Sequence, residues 1–248
     1  MKKLFSWTFF MTLTLLCASA LAYTIHYFIF KDAHHIFIYL VGDLGFLFLD
    51  VLLVILLLER LLNRREKKAL LGKLNIVIGT FFSEVGLGLL KRINVFVENW
   101  QELEKDCEIG PEWNKKDFKR AIGAVHEFPF AIDISTENLL ELQKHLIAKR
   151  PCMMRMLENP NLFEHDQFTD LLWAIFHLSE ELSFRGDELD NLPETDYKHI
   201  AGDLKRAYSQ LTAQWLLYTQ HLKENYPFLF SLAARINPMN PAASPIVK

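Results

Sequence analysis

From Leu4 to Phe30 no residue carries a formal charge, and from Ile36 to Leu58 only Asp43 and Asp50 do. A helix needs roughly 20 apolar residues to cross the hydrocarbon of a bilayer, and these runs of 27 and 23 residues are long enough. The link between them, Lys31-Asp-Ala-His-His35, holds one Lys, whereas Lys2 and Lys3 precede the first run and Arg60, Arg64, Arg65, Lys67 and Lys68 follow the second. The positive-inside bias then places both termini in the cytoplasm and the link outside. Trp7 at one end and Tyr23, Tyr27, Phe37 and Tyr39 at the other suit the two interfacial belts. Asp32 is a good N-cap for the second helix, and its charge suits that end of the helix dipole.

The pattern changes after Leu58 but stays helical. A charged stalk leads into one broad apolar face: Leu70, Leu71, Leu74, Val77, Ile78, Phe81, Phe82, Val85, Leu89, Phe96 and Trp100. Opposite it runs a second stripe in which Gly72, Gly79 and Gly86 recur every seven residues. Each glycine costs about 1 kcal/mol relative to Ala inside a helix, so the repeat predicts close approach of another backbone, at a subunit interface or in the centre of a bundle. Lys73, Thr80, Glu84 and Lys91 form the narrow strip left for water. No Gly-Lys-Ser/Thr follows, and the glycines lie along a helix, so a phosphate loop is a poor reading.

Pro and Gly punctuate the remainder into helices over about 113–127, 136–149, 152–158, 166–184, 194–225 and 227–236. Thr195 is the expected cap of the longest, whose stripe runs through Ile200, Leu204, Tyr208, Leu211, Trp215 and Leu222. No period-two run is long enough for a sheet. The expected architecture is all-α: a two-helix transmembrane hairpin (1–58), a stalk and two-faced helix (59–106), a cytoplasmic helical bundle (107–236) and a Pro-rich, disordered tail (237–248).

Composition narrows the class without naming an activity. The chain is 51% apolar, with 27 Lys+Arg against 30 Asp+Glu, which argues against a nucleic-acid binder relying on basic charge. Three cysteines, Cys17 within a span and Cys107 and Cys152 in a reducing compartment, suggest no disulfide framework. A cleaved signal peptide is the rival reading of the first run, with Ala18-Ser-Ala20 or Ala20-Leu-Ala22 as the cleavage site. Against it, apolar character continues through Ile29 and Phe30. A lipoprotein signal at Cys17 is weaker, because Leu16 stands where a small residue is wanted.

Polar residues within the spans are the first candidate sites. Asp43 and Asp50 share one stripe of the second helix, and Thr8, Thr12, Ser19 and His26 fall within about 40° of one another on the first. An Asp43–His26 contact is feasible. Such groups either hydrogen-bond between helices and fix their packing, or line a proton or cation path. In the link, Asp32, His34 and His35 offer transition-metal ligands, but adjacent helical histidines point about 100° apart and do not chelate without distortion. Further on, Glu141/His145, His177/Glu181 and His199/Asp203 have i,i+4 spacing, and Asp196-Tyr-Lys-His199 is loosely similar to a di-iron half-motif. Phase argues against metal there: His177 lies about 180° and His199 roughly 140° from the apolar stripe of its own helix, so these read as exposed, helix-stabilising pairs. No catalytic signature is present and no cofactor is implied.

The stretches Lys31-Asp-Ala-His-His-Ile-Phe-Ile-Tyr-Leu-Val-Gly-Asp43, Leu74-Asn-Ile-Val-Ile-Gly-Thr-Phe-Phe-Ser-Glu-Val-Gly86 and Leu171-Leu-Trp-Ala-Ile-Phe-His-Leu-Ser-Glu-Glu-Leu182 resemble a family of uncharacterised bacterial membrane proteins. The resemblance covers most of the chain and implies the two-span architecture; it brings no activity, so it assigns no functional residue. The expectation is a multi-pass protein of the inner membrane, its partners the lipid bilayer, further copies of itself and an unidentified protein, acting as an interaction, scaffold or sensory module. A small ion- or proton-conducting assembly using Asp43 and Asp50 is the alternative, and a helical metalloprotein the third.

Overall fold

The computed structural model describes residues 2–160, 162, 165–240 and 242–247. The side chains of Lys2, Lys3, Trp7, Thr8, Arg64, Lys67, Lys68, Leu70 and Leu71, which the sequence reading uses, lie outside the described set, as does Pro241 in the tail. The chain divides into two units, Met1–Lys67 and Lys68–Lys248.

In the first unit, helix α1 (Lys2–Phe30) is followed by α2 (Ala33–Phe81), which continues past the division. The reversal takes two residues. Lys31 adopts a left-handed conformation (φ 53°), its N–H donating to the Tyr27 carbonyl at 2.8 Å. Asp32 then caps α2 as its position predicts: Oδ1 accepts from the N–H groups of His34 and His35 at 2.9 and 3.2 Å. Ring contacts that join the two helices gather at this turn, where His26 stacks on His35 at 5.9 Å. Two segments here, Phe9–Phe30 and Ala33–Leu62, are long and apolar enough to cross a membrane, and none of their apolar window is buried.

In the second unit, α2 ends against the bundle and passes into a π-turn (Phe82–Gly86), then α3 (Leu87–Asn94). The remaining helices are α4 (Trp100–Cys107), α5 (Lys115–Glu127), α6 (Thr136–Leu157), α7 (Asp166–Arg185), α8 (Glu194–Asn225) and α9 (Pro227–Arg235). Among the described residues the β-pairing is a single antiparallel bridge, Val97 with Ile132. The protein is therefore all-helical, as its periodicity predicts.

Helix α8 is central to this unit and packs on α3, α5, α7 and α9. Its stripe of Ile200, Leu204, Tyr208, Leu211, Trp215 and Leu222 is buried. The two-faced helix joins the same core: Phe82 stands edge-on to Trp215 at 5.1 Å and stacked on Tyr218 at 5.4 Å, while Phe81 meets Phe168 at 5.2 Å. It thus belongs to the core of this unit. The π-turn inserts one residue into the helical register between Gly79 and Gly86, which takes Gly86 off the line that Gly72 and Gly79 share. A Cβ on Gly79 would lie 2.8 Å from Tyr218 Oη, one on Gly86 would lie 2.6 Å from the Phe82 ring, and Gly72 faces open space.

Other expectations are corrected by local chemistry. α6 does not break at Pro151. A proline leaves the carbonyl four residues earlier without its helical donor, here that of Ile147, and both residues are exposed so that solvent can reach it. α8 starts at Glu194 with Pro193 in the capping position, and Thr195 lies inside the first turn. The tail is docked through Met239: Asn237 Nδ2 donates to the Cys107 carbonyl at 2.9 Å, its Oδ1 accepts from Trp215 Nε1 at 3.3 Å, and Asn237 and Met239 are buried. Pro content alone misses this, because a single Asn that satisfies two buried groups outweighs the local cost of order.

Candidate functional site

α7 and α8 are locked together at their connection. Gly186, at φ +58°, ends α7, and the buried amide of Gln143 on α6 donates to the carbonyls of Leu182 and Gly186 at 2.7 and 2.8 Å. The chain returns past Leu189, whose carbonyl accepts from Tyr197 Oη at 2.8 Å. Arg185 at the end of α7 then grips Asp196 at the start of α8 through two bonds of 2.7 Å. This bidentate fork fixes both spacing and direction, so the two helices run antiparallel and each turn of one meets a defined turn of the other.

Two turns that meet in this way carry the same motif. His177 and Glu181 lie one turn apart on α7, and His199 and Asp203 one turn apart on α8. Across the groove, His177 Nε2 is 3.3 Å and His199 Nε2 3.4 Å from the same atom, Asp203 Oδ2. Glu181 lies on the other side, 3.9 Å from His177 Nε2 and 3.7 Å from His199 Nε2. The imidazole rings stand edge-on, 6.4 Å apart. Both are about half exposed, at 44% and 52%, whereas the Asp203 side chain is 4% exposed. Its Oδ1 accepts from Arg206 Nη1 at 3.1 Å, but Oδ2 receives no hydrogen bond from any described residue.

Arg185 also binds Glu181, and this hydrogen bond holds the glutamate carboxyl below the usual range; the same guanidinium lowers that of Asp196. The cluster therefore presents two imidazoles and two acidic side chains, with Arg185 and Arg206 orienting the acids from behind. Asp196, taken up by Arg185, does not join His199 in the half-motif. The phase of each helix correctly puts both histidines off its own core. It misses that the two rims face one another. Arg185 at i+4 from Glu181 and Arg206 at i+3 from Asp203 are the remaining signal in the sequence.

The other candidates are dispersed. His26 and Asp43 line one cleft of about 390 Å³ in the first unit, with Tyr23, His35 and Tyr39. His26 Nε2 is buried there and without a hydrogen-bond partner, and Asp43 makes no hydrogen bond or ion pair with a described residue. Asp50 is exposed on α2. His34 is exposed and His35 half-buried, both held by the Asp32 cap. Glu141 does not pair with His145: it meets Lys144 at 3.3 Å, while His145 turns in against Gly88. Burial, then the charges of Arg92 and Lys149, pushes the His145 imidazole down to about 4.

These features define an all-helical protein of two units, with a histidine–carboxylate groove in the second. By sequence it belongs to the MJ1433 family. Residues 2–62 match the model described as MJ1433, N-terminal helical domain, and residues 70–235 that of uncharacterized protein MJ1433, C-terminal helical domain. The uncharacterized protein MJ1433 of Methanocaldococcus jannaschii is 41% identical over 226 residues, which is 91% of this chain and 90% of the relative. That relative is archaeal, which corrects the bacterial family expected from the quoted stretches. No solved structure matches the chain.

Proposed function

We propose that the chain is an integral membrane protein in which a hairpin of two spans anchors a cytoplasmic helical domain that works as an oligomeric interaction or sensory module. The observation that carries the anchor is the complete exposure of the apolar windows of Phe9–Phe30 and Ala33–Leu62. Exposed apolar surface on this scale is incompatible with a monomer in water, and a bilayer is the solvent that fits its length. The basic residues flanking both helices and the single Lys in the link support cytoplasmic termini. Asp43 and Asp50 support assembly: both are exposed on the apolar surface, and a carboxylate at that depth faces protein or water rather than lipid.

Carbonate extraction of membranes tests the anchor: the protein stays in the pellet, and release into the supernatant sinks the reading. Orientation is read with a membrane-impermeant maleimide on intact cells. Ala33→Cys is labelled from outside, and Cys152 only after permeabilisation; the reverse order would invert the topology.

The same unpaired acids favour a second reading, an ion- or proton-conducting assembly. Reconstituted protein would carry a flux that Asp43→Asn changes. Absence of flux at every pH and voltage, with oligomeric size altered by Asp50→Leu, leaves the acids as packing groups.

A further inference from the structure

We infer that the groove between α7 and α8 is a binding site for a divalent first-row transition ion, held by His177, His199 and Asp203. This inference does not depend on how the first unit sits in a membrane.

The first ground is geometric. A tetrahedral ion with bonds of about 2.0–2.1 Å to nitrogen and oxygen separates its donor atoms by about 3.3–3.4 Å. Asp203 Oδ2 already stands 3.3 and 3.4 Å from the two Nε2 atoms. All three donor atoms lie within 4.8 Å of one another, and half-exposed rings close the remaining His177–His199 edge by side-chain rotation. The second ground is independent of those distances. Asp203 is 3% exposed, yet its Oδ2 accepts no hydrogen bond from a described residue. A buried carboxylate oxygen without a donor is costly unless charge or a metal compensates it, and this one stands beside two imidazole nitrogens.

The surroundings suit a metal ligand set. Arg206 holds the other oxygen of Asp203, as outer groups orient the ligands of metalloproteins, and Arg185 fixes Glu181 beside the groove. Two imidazoles and a carboxylate, with no thiolate, select zinc, iron, cobalt or nickel over soft ions and over calcium or magnesium. The exposed side of the histidines leaves a coordination position for water or a small ligand. The competing explanation is a network of ion pairs among the same four side chains.

The test uses the full-length protein purified in detergent and stripped of metal. Co²⁺ is added as a spectroscopic probe, and Zn²⁺ affinity is measured by competition. The expected result is one equivalent bound, with the visible ligand-field absorption of a four-coordinate ion. His199→Ala should weaken Zn²⁺ binding beyond the roughly 10–100-fold typical of an outer-group change, while His126→Ala, a histidine remote from the groove in sequence and on α5, leaves it unchanged. Should Asp203→Asn fail to fold, Zn²⁺ titration of the unaltered protein followed by imidazole nitrogen resonances reads the site directly: His177 and His199 shift together at one equivalent. No stoichiometric binding, binding unaffected by His199→Ala, or resonance shifts confined to other histidines would overturn the proposal and leave the ion-pair network.

Discussion

Among the described residues three segments are apolar and long enough to span a bilayer, and two of them, Ala33–Leu62 and Gly72–Asn94, follow one another with nine residues between. In the first, none of the apolar window is buried; in the second, 44% is. Composition treats them alike. What separates them is the arrangement of side chains around the helix and the partners available in the same chain. Ala33–Leu62 is apolar all round, and its bulk points in every direction. Gly72–Asn94 concentrates Leu74, Ile78, Phe81, Phe82, Val85 and Leu89 on a face that meets Phe168, Trp215 and Tyr218, and leaves Lys73, Thr80, Glu84 and Lys91 exposed. Whether a helix stays exposed or joins the core is decided by where its polar residues fall, not by how few it has.

The sharpest way to break that comparison is a matched pair of truncations. Phe82 is 1% exposed and Phe48 73% exposed. Phe82→Ala should cost about 3–5 kcal/mol in unfolding of the second unit, followed by denaturant melts in detergent, whereas Phe48→Ala should leave that transition in place. Equal effects would mean the two helices share one environment. Next in size is Gly86→Ala, whose methyl group would push on the rings of Phe82 and Phe81 at 2.6 and 2.9 Å. A loss of roughly 1–3 kcal/mol is expected, and the same change at Gly72, which faces open space, should be neutral or stabilising. Asn237→Ala leaves the Cys107 carbonyl and Trp215 Nε1 unpaired in the interior and should cost about 1–3 kcal/mol by the same melts.

The smallest expected effect is a pH dependence. The His145 imidazole falls from 6.5 to about 4 on folding, because burial and the neighbouring Arg92 and Lys149 disfavour its charged form. Between those two values the unfolded chain binds more protons than the native one, so stability is full above 6.5 and declines as pH drops toward about 4. His145→Gln should flatten that part of the stability profile. Retention of the full slope would assign it to other groups.

Much of this fold is legible in the sequence because helices announce themselves locally. The 3.6-residue period, the Asp32 cap and the Gly186 stop all depend on residues within a turn or two. What escapes depends on contacts between distant segments. Pro151 is tolerated because its face of α6 is exposed. Asn237 finds partners far back in the chain. The histidine–carboxylate groove is the clearest case. His177 and His199 each lie on the rim of a helix, and one helical wheel can say only that a rim residue leaves its own core. Whether two rims meet depends on the pairing of α7 with α8, and that pairing is set by Gln143 and the Arg185–Asp196 fork.

The docked tail has a consequence for biosynthesis. Asn237 and Met239 close the interior between Cys107, Trp215 and Tyr208, yet they are synthesised after every helix they pack on. Domains fold as units as they emerge, so this one cannot complete its core until that segment has emerged. The proposed anchor is made before the bundle is finished, which gives a nascent copy, already tethered, an interval in which its neighbours are other copies on the same surface.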